Sequence, residues 1–250
     1  MKISEIITVL ESFAPPTLAE EWDNVGLMVG GTDGECTGVM LALDLTHDVI
    51  AQAKRGNCNL IVTHHPFIFH AIKRIDFSES NGVAIRELIK NDITVYSMHT
   101  NLDKTKGGLN DTIANVLSGK NIRLDGVGVT FEVEPMSLAE FAKTVACKLS
   151  DRSVRIVGNP DKTVSRVYTV SGSGASEYSR AKECADVLLT GDFKHHNYID
   201  AVNDGFALVE YSHFASEIIA QDILAHVLSG KEVKTIKAIQ HSPFRLLEEI

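Results

Sequence analysis

What this chain has little of narrows the field before any motif is read. It holds four cysteines, Cys36, Cys58, Cys147 and Cys184, far apart and with no C-x-x-C pair. That excludes a disulfide framework and a zinc knuckle, and it suits free thiols of a reducing cytosol that serve as small buried hydrophobes. Basic runs never exceed two residues and the formal net charge is -9, which argues against nucleic acid as the main partner, since such faces need clustered Lys and Arg. No apolar stretch approaches the roughly 20 residues of a membrane span. The N-terminal Met-Lys-Ile-Ser-Glu-Ile-Ile-Thr-Val-Leu-Glu is interrupted by acids and reads as an amphipathic helix, not a signal peptide. The expectation is a cytoplasmic protein with no membrane partner.

What is present is a globular composition: 250 residues, 44% of them apolar, enough for one large domain or two of ordinary size. Ile3, Ile6, Ile7, Leu10 and Phe13 recur at helical spacing, and Pro15-Pro16 end that helix. Glu21 to Gly31 reads as a glycine-rich connection. Strands are expected at Val39 to Leu43, Leu60 to Thr63 and Ile93 to Ser97, with helices at Asp48 to Lys54, Val83 to Ile89 and Leu109 to Leu117. The second half has strands at Val164 to Val170, Val187 to Thr190 and Ala207 to Tyr211. Its helices run from the Ser137-Leu-Ala-Glu140 capping box to Leu149, from His195 to Val202, and from beyond Tyr211 to Leu228. Val233 to Ile239 is a further strand candidate. Such alternation implies βαβ units and mainly parallel sheets.

The halves repeat. Each has a strand ending in Thr (Thr63, Thr190), a helix, a strand, a His-x-x-x-acid signature, a helix and the tetrapeptide Leu-Ser-Gly-Lys (117–120, 228–231). From acid to tetrapeptide the gap is 14 residues in the first half and 11 in the second. The reading is two related α/β domains, 1–125 and 126–250, with a pseudo-two-fold between them and a metal site at their junction.

The chemistry is carried by His64-His65, His99-Thr-Asn-Leu-Asp103 and His213-Phe-Ala-Ser-Glu217, each placed where an apolar run stops. Open α/β sheets put their sites there, and imidazole with carboxylate suits zinc, iron or manganese. Residues four apart share a helical face, so His213 and Glu217 can reach one ion; Gly107-Gly108 leave His99 and Asp103 open to a loop instead. Adjacent His64 and His65 diverge on a regular strand but can serve two ions where the backbone bends. Any one histidine at a strand end is more often a hydrogen-bonded surface residue. That reading is kept for His47, His70, His226 and His241, and for His195-His196, which are solvated or support other ligands. Ser171-Gly-Ser-Gly174 follows a strand and precedes a helix, so amides around Gly172 and Gly174 can approach a substrate phosphate, though the pattern also marks plain turns. Trp22 and Asn24 line the same cleft on this reading, against the alternative that a lone Trp anchors packing.

With these segments together, the chain resembles the GTP cyclohydrolase I type 2 homologue family, the Nif-three-like dinuclear-metal proteins. The matching segments are Trp22-Asp-Asn-Val-Gly-Leu27, Thr63-His-His-Pro66, His99 to Asp103, Ser171 to Gly174, Thr190-Gly-Asp192 and His213 to Glu217. The resemblance implies two α/β domains, a homohexameric ring with metal sites facing an inner cavity, and two divalent ions (zinc, iron or manganese) per protomer. It implies His64, His65, Asp103, His213 and Glu217 as ligands, with Glu217 bridging. The family name implies a small-molecule, nucleotide substrate and hydrolytic opening of the guanine imidazole ring through a metal-bound hydroxide, with His99 as proton shuttle. Another phosphoester or cyclic-amide hydrolase, or a non-catalytic metal-handling or interaction protein, would use the same ligands. No Arg/Lys cluster marks a triphosphate site, and the inserted domain of longer members is lacking.

Overall fold

Short apolar runs alternate with amphipathic stretches, and each run becomes the element that its pattern favours. The computed structural model describes residues 1–247. In chain order its elements are α1 (Ile3–Phe13), β1 (Gly26–Val29), β2 (Val39–Ala42), α2 (His47–Arg55), β3 (Leu60–Thr63), α3 (Ser80–Lys90), β4 (Thr94–Ser97), α4 (Thr100–Lys104), α5 (Leu109–Val116), β5 (Lys120–Asp125) and β6 (Gly128–Ser137). They continue with α6 (Leu138–Lys148), β7 (Arg155–Val157), β8 (Thr163–Ser173), α7 (Tyr178–Cys184), β9 (Val187–Gly191), α8 (His195–Asp204), β10 (Ala207–Glu210), α9 (His213–Glu217), α10 (Ala220–Val227) and β11 (Thr235–Lys237). Among the described residues no helix is long and apolar enough to cross a membrane.

The chain forms two α/β units. The first holds Met1–Thr105 and Ile218–Gln240, and the second holds Lys106–Glu217 together with the described residues 241–247. In the first, the sheet order is β1-β4-β3-β2-β11, parallel except for the β1 edge. Every residue of β2, β3 and β4 is buried, as in parallel sheets covered on both faces. Val49, Ile50 and Ala53 of α2 and Ala84 and Leu88 of α3 pack on Met40, Ile61 and Val95 of those strands. β1 was not expected: Gly26–Val29 lies within the glycine-rich connection, and β4 recruits it as an antiparallel edge.

In the second unit the order is β5-β6-β8-β9-β10-β7, with a parallel centre, β8-β9-β10, flanked by antiparallel strands. Its Tyr168, Leu188 and Leu208 pack with Ala181, Phe193 and Ala201 from the helical side. The stretch around 121–135, where a boundary was expected, is the β5–β6 hairpin turned at Gly126-Val127, with Gly126 at φ +65°. Its signal is faint because β5 buries no residue fully.

The division therefore differs from 1–125 and 126–250, because pairing overrides sequence order. β5 joins β6, which holds residues 120–125 in the second unit, while the expected strand near Val233 pairs with β2, 39–42, in the first. The repeat itself is visible in element order: β3-α3-β4-α4-α5 against β9-α8-β10-α9-α10. Each time, the helix after the signature belongs to the other unit, so the chain crosses just after Asp103 and again just after Glu217. The cysteines are all free, but only Cys58 is buried, and Cys147 is exposed on a helix; they are not uniformly the core residues expected.

Candidate metal centre

In the first unit the His-His pair leaves the C-terminal end of β3 on a backbone bend. The Thr63 hydroxyl fixes that bend by donating to the His65 carbonyl at 2.8 Å. The His64 and His65 amides still donate to Ala42 and Leu43 carbonyls at 3.1 and 3.0 Å, so the bend stays attached to the strand beside it. A regular strand would send adjacent side chains to opposite faces. Here the two rings lie 5.2 Å apart at 41°, and His99 comes within 5.2 Å of the first and 5.7 Å of the second. One ring nitrogen of each of the three lies within 4.8 Å of the others, a grouping able to hold a cation.

The first signature is helical, not a loop. His99 is the N-cap of α4, and Asp103 lies one turn on. The intervening face is tied to the segment that follows α1. Asn101 Nδ2 donates to the Ala14 carbonyl (2.8 Å), Thr105 Oγ1 to the Phe13 carbonyl (2.7 Å), and Lys104 pairs with Glu20 (2.7 Å). With that face committed, positions 99 and 103 are left on the other. His64 Nε2 sits 3.8 Å from Asp103 Oδ1, a spacing that suits two donors about a common cation.

In the second unit His213 and Glu217 share a face of α9, with Nε2 2.8 Å from Glu217 Oε2. Asp151 accepts from the Ser212 amide at 2.6 Å and fixes the helix start. Glu217 is 3% exposed, and Gly172 makes its room: a Cβ there would stand 2.1 Å from Glu217 Oε1, on a backbone at φ +62°. Burial pulls the His213 pKa down, but the Glu217 and Asp192 carboxylates outweigh it and raise the group to about 9, so the two carboxylates favour positive charge at this position.

One pattern unites the four histidines. Each Nδ1 is held by an oxygen: His64 by the Met98 carbonyl (2.8 Å), His65 by Asp44 (2.7 Å), His99 by Asp23 (2.8 Å) and His213 by Asp192 (2.6 Å). An acceptor at Nδ1 fixes a proton there and leaves Nε2 as the atom that faces the site, toward Glu217 in the case of His213, the arrangement common at metal-bound histidines. Asp23 is fully covered; burial pushes its carboxyl up, but bonds from His99 and Thr100 prevail and hold it at about 2.

These aspartates were missed as site residues. Asp44 follows an apolar run as His64 does, and Asp192 ends Thr190-Gly-Asp192, so the strand-end criterion that selected the histidines would have found both. Asp23 lies between Trp22 and Asn24, which were named instead. Other expectations resolve as follows. Ser171–Ser173 is the end of β8, not a loop. The Ser171, Gly172 and Gly174 amides donate to Asn110, Ser216 and Thr190 side chains (2.7, 3.1 and 2.8 Å), so these glycines pack α9 and β9 against β8. His195 and His196 are exposed on α8, as are His47, His70, His226 and His241 elsewhere. Trp22 is 61% exposed and does not anchor packing.

Known proteins bear the same stamp. The model of the Duf34/NIF3 (NGG1p interacting factor 3) family matches residues 1–243. A "GTP cyclohydrolase 1 type 2 homolog" of Clostridium acetobutylicum is 35% identical over 242 residues, 92% of this chain and 90% of that one. Its namesake in Clostridium perfringens is 38% identical over 228 residues, 87% of each. Among solved structures, hypothetical protein SA1388 of Staphylococcus aureus matches with a TM-score of 0.90 at 31% identity, covering 99% of both chains. Reduced HcgD from Methanocaldococcus jannaschii matches at 0.85 and 31%, covering 95% of this chain and 97% of that one. The chain therefore belongs to the Duf34/NIF3 family.

Proposed function

We propose that the protein is a dinuclear metal-dependent hydrolase whose ligands for two divalent cations are His64, His65, Asp103, His213 and Glu217. The observation that carries this reading is the common orientation of the histidines, each with Nδ1 on an oxygen. The donor set fits: imidazoles and carboxylates suit zinc, iron or manganese, and a Cβ-sized recess at Gly172 admits the Glu217 carboxylate. Two cations need more ligands than either unit supplies alone. His213 and Glu217, which share a face of α9, would complete the ligand set.

When bound, such ions supply Lewis acidity, polarising an electrophilic carbon and making water more acidic. The chain's own residues do the rest. His99, held by Asp23 at Nδ1, takes and returns a proton through Nε2. Asp44 and Asp192 keep their imidazoles oriented throughout. The relatives' name, GTP cyclohydrolase 1 type 2 homolog, favours opening of the purine imidazole ring of a nucleotide as the reaction. A homohexamer in the cytoplasm completes the proposal, and light scattering would read its mass.

The test is metal content by plasma mass spectrometry, on protein purified without chelators or an added His-tag, for wild type, His65→Ala and Glu217→Gln, followed by formate release from GTP. Near two ions per chain in wild type, falling in both variants together with formate release, is the expected result. Less than one ion, unchanged in the variants, would overturn the ligand assignment. Two ions with no turnover of GTP or of a phosphoester panel would leave a metal-handling protein.

A further inference from the structure

Beside the candidate metal centre stands a feature that metal binding does not require. Trp22, the single tryptophan of the chain, is 61% exposed, and Phe69, four residues past His65, is 40% exposed. Tryptophan is on average a highly buried residue, so two large exposed rings side by side call for an occupant. Their centroids lie 6.1 Å apart at 58°, and each stands 6.2 Å from the His99 ring, at 76° for Trp22 and 82° for Phe69. All three belong to the first unit.

The rings are exposed but braced. Asn24 donates its side-chain amide to the Ile68 carbonyl, which fixes the residue before Phe69 to the segment that carries Trp22. Asp23, next to Trp22, receives His99 Nδ1 at 2.8 Å and the Thr100 amide at 3.0 Å. Both aromatic residues are thus flanked by backbone pinned to the His99 side of the site. Exposed apolar rings on a pinned frame are preorganised, which lowers the ordering cost of binding.

We infer that Trp22 and Phe69 form a stacking corner for a planar aromatic heterocycle whose edge meets His99. The inference deepens the hydrolase reading and rests on it for the reaction, while the binding step stands by itself. Clamping a base between two faces needs parallel rings roughly 7 Å apart, twice a van der Waals contact. At 6.1 Å and 58° these rings cannot clamp; they offer the face of one and the side of the other. A heterocycle lying flat on Trp22 meets the His99 ring at close to the 76° that Trp22 itself makes with it. Its edge, where the reactive carbons and nitrogens of a purine lie, is then directed at the one imidazole of the cluster assigned to proton transfer. A purely anionic substrate would gain nothing from this corner, whereas every base has a π-face to stack.

The single tryptophan makes the test direct, because all indole fluorescence reports on this corner. The metal-loaded protein as purified would be titrated with guanosine, adenosine, ribose 5-phosphate and inorganic triphosphate, with N-acetyltryptophanamide correcting for absorbance. The two nucleosides should quench Trp22 saturably, and the two ligands without a base should not. In equilibrium dialysis, Phe69→Ala and Trp22→Ala should each weaken guanosine binding about tenfold, with Trp22→Phe retaining most of it. Oligomer mass and metal content are read on every variant. Unquenched fluorescence in protein with full metal content, or variants that bind guanosine like wild type, would overturn the corner. So would a Trp22→Ala that changes only the oligomer mass, since the rings would then be covered by a second copy. Saturable quenching by nucleosides in protein that takes up no metal would support the corner while refuting the metal-dependent reading, so the two fail separately.

Discussion

In the first unit three imidazoles crowd one another, and the innermost, His64, is fully buried with Nδ1 on a backbone carbonyl. In the second a single imidazole, His213, is one-third exposed, with Nδ1 on a half-exposed aspartate and Nε2 on a buried glutamate. His64 in the first is built into the sheet: the carbonyl that orients it belongs to Met98, whose own amide donates to Thr63 at 2.8 Å. The second is built from side chains and from a recess that only glycine leaves. A site held by backbone tolerates substitution around it, while one held by a missing Cβ does not. The two clusters should therefore break in different ways.

The largest effect is expected from Gly172→Ala. Alanine there meets both a left-handed φ of +62° and Glu217 Oε1 at 2.1 Å, so the buried carboxylate has to leave its recess. Strain of this kind costs about 1–3 kcal/mol before any clash is counted. The variant should lose thermal stability and metal together. Metal content by mass spectrometry that matches wild type would show that Glu217 does not depend on this recess.

Next come the aspartates on Nδ1. Removing such a partner typically costs about 10–100-fold in metal affinity. Asp44→Asn and Asp192→Asn should both fall in that range, read by competition against a chelator of known affinity. Asp192→Asn should suffer more, because His213 is the only imidazole of its unit in the ligand set, whereas His65 has His64 beside it. Equal losses would mean that the crowding in the first unit provides no redundancy.

Asp23 sharpens the comparison through pH. Its folded pKa of about 2 lies below the ordinary 3.8, so it contributes stability that is fully present above about pH 4 and lost as pH falls toward 2, in all roughly 2 kcal/mol. Asp23→Asn should be less stable than wild type by about that amount at pH 7, and the gap should close on acidification. A gap that stays constant down to pH 2.5 in urea unfolding would show that the carboxylate's charge is not what stabilises this corner.

Much of this was legible in the sequence, and the parts that were not have physical causes. β2, β3 and β4 are buried along their whole length, so their apolar runs announced them, and His64, His65, His99 and Asp103 stood at or just past the ends of β3 and β4. The capping box at Ser137 specified the start of α6. By contrast β1, β5 and β7 are edge strands with few or no fully buried residues, and their patterns carry little signal without a partner. The unit boundary was hidden because β11 pairs with β2 across nearly two hundred residues of chain, a contact that no local window contains. The glycines at 172 and 174 looked like a phosphate loop because a recess for a carboxylate and a cradle for an anion use the same residue. Only the amides, already spent on Ser216 and Thr190, tell them apart.

The smallest expected effects test whether the clusters depend on the helices behind them. Thr46 accepts from the Val49 amide at 3.1 Å and caps α2, which packs behind the strands that carry the His-His pair. Ser137 does the same for α6 in the second unit, accepting from the Glu140 amide at 3.2 Å. Thr46→Ala and Ser137→Ala should each cost about 1 kcal/mol in unfolding stability. Metal content should not move in either, because His64 and His65 are fixed by bonds to β2 and to Met98, and His213 by Asp192, none of which involves a cap. If Thr46→Ala loses metal while Ser137→Ala does not, the first cluster depends on α2 after all, and the contrast between a backbone-held and a recess-held site would have to be redrawn.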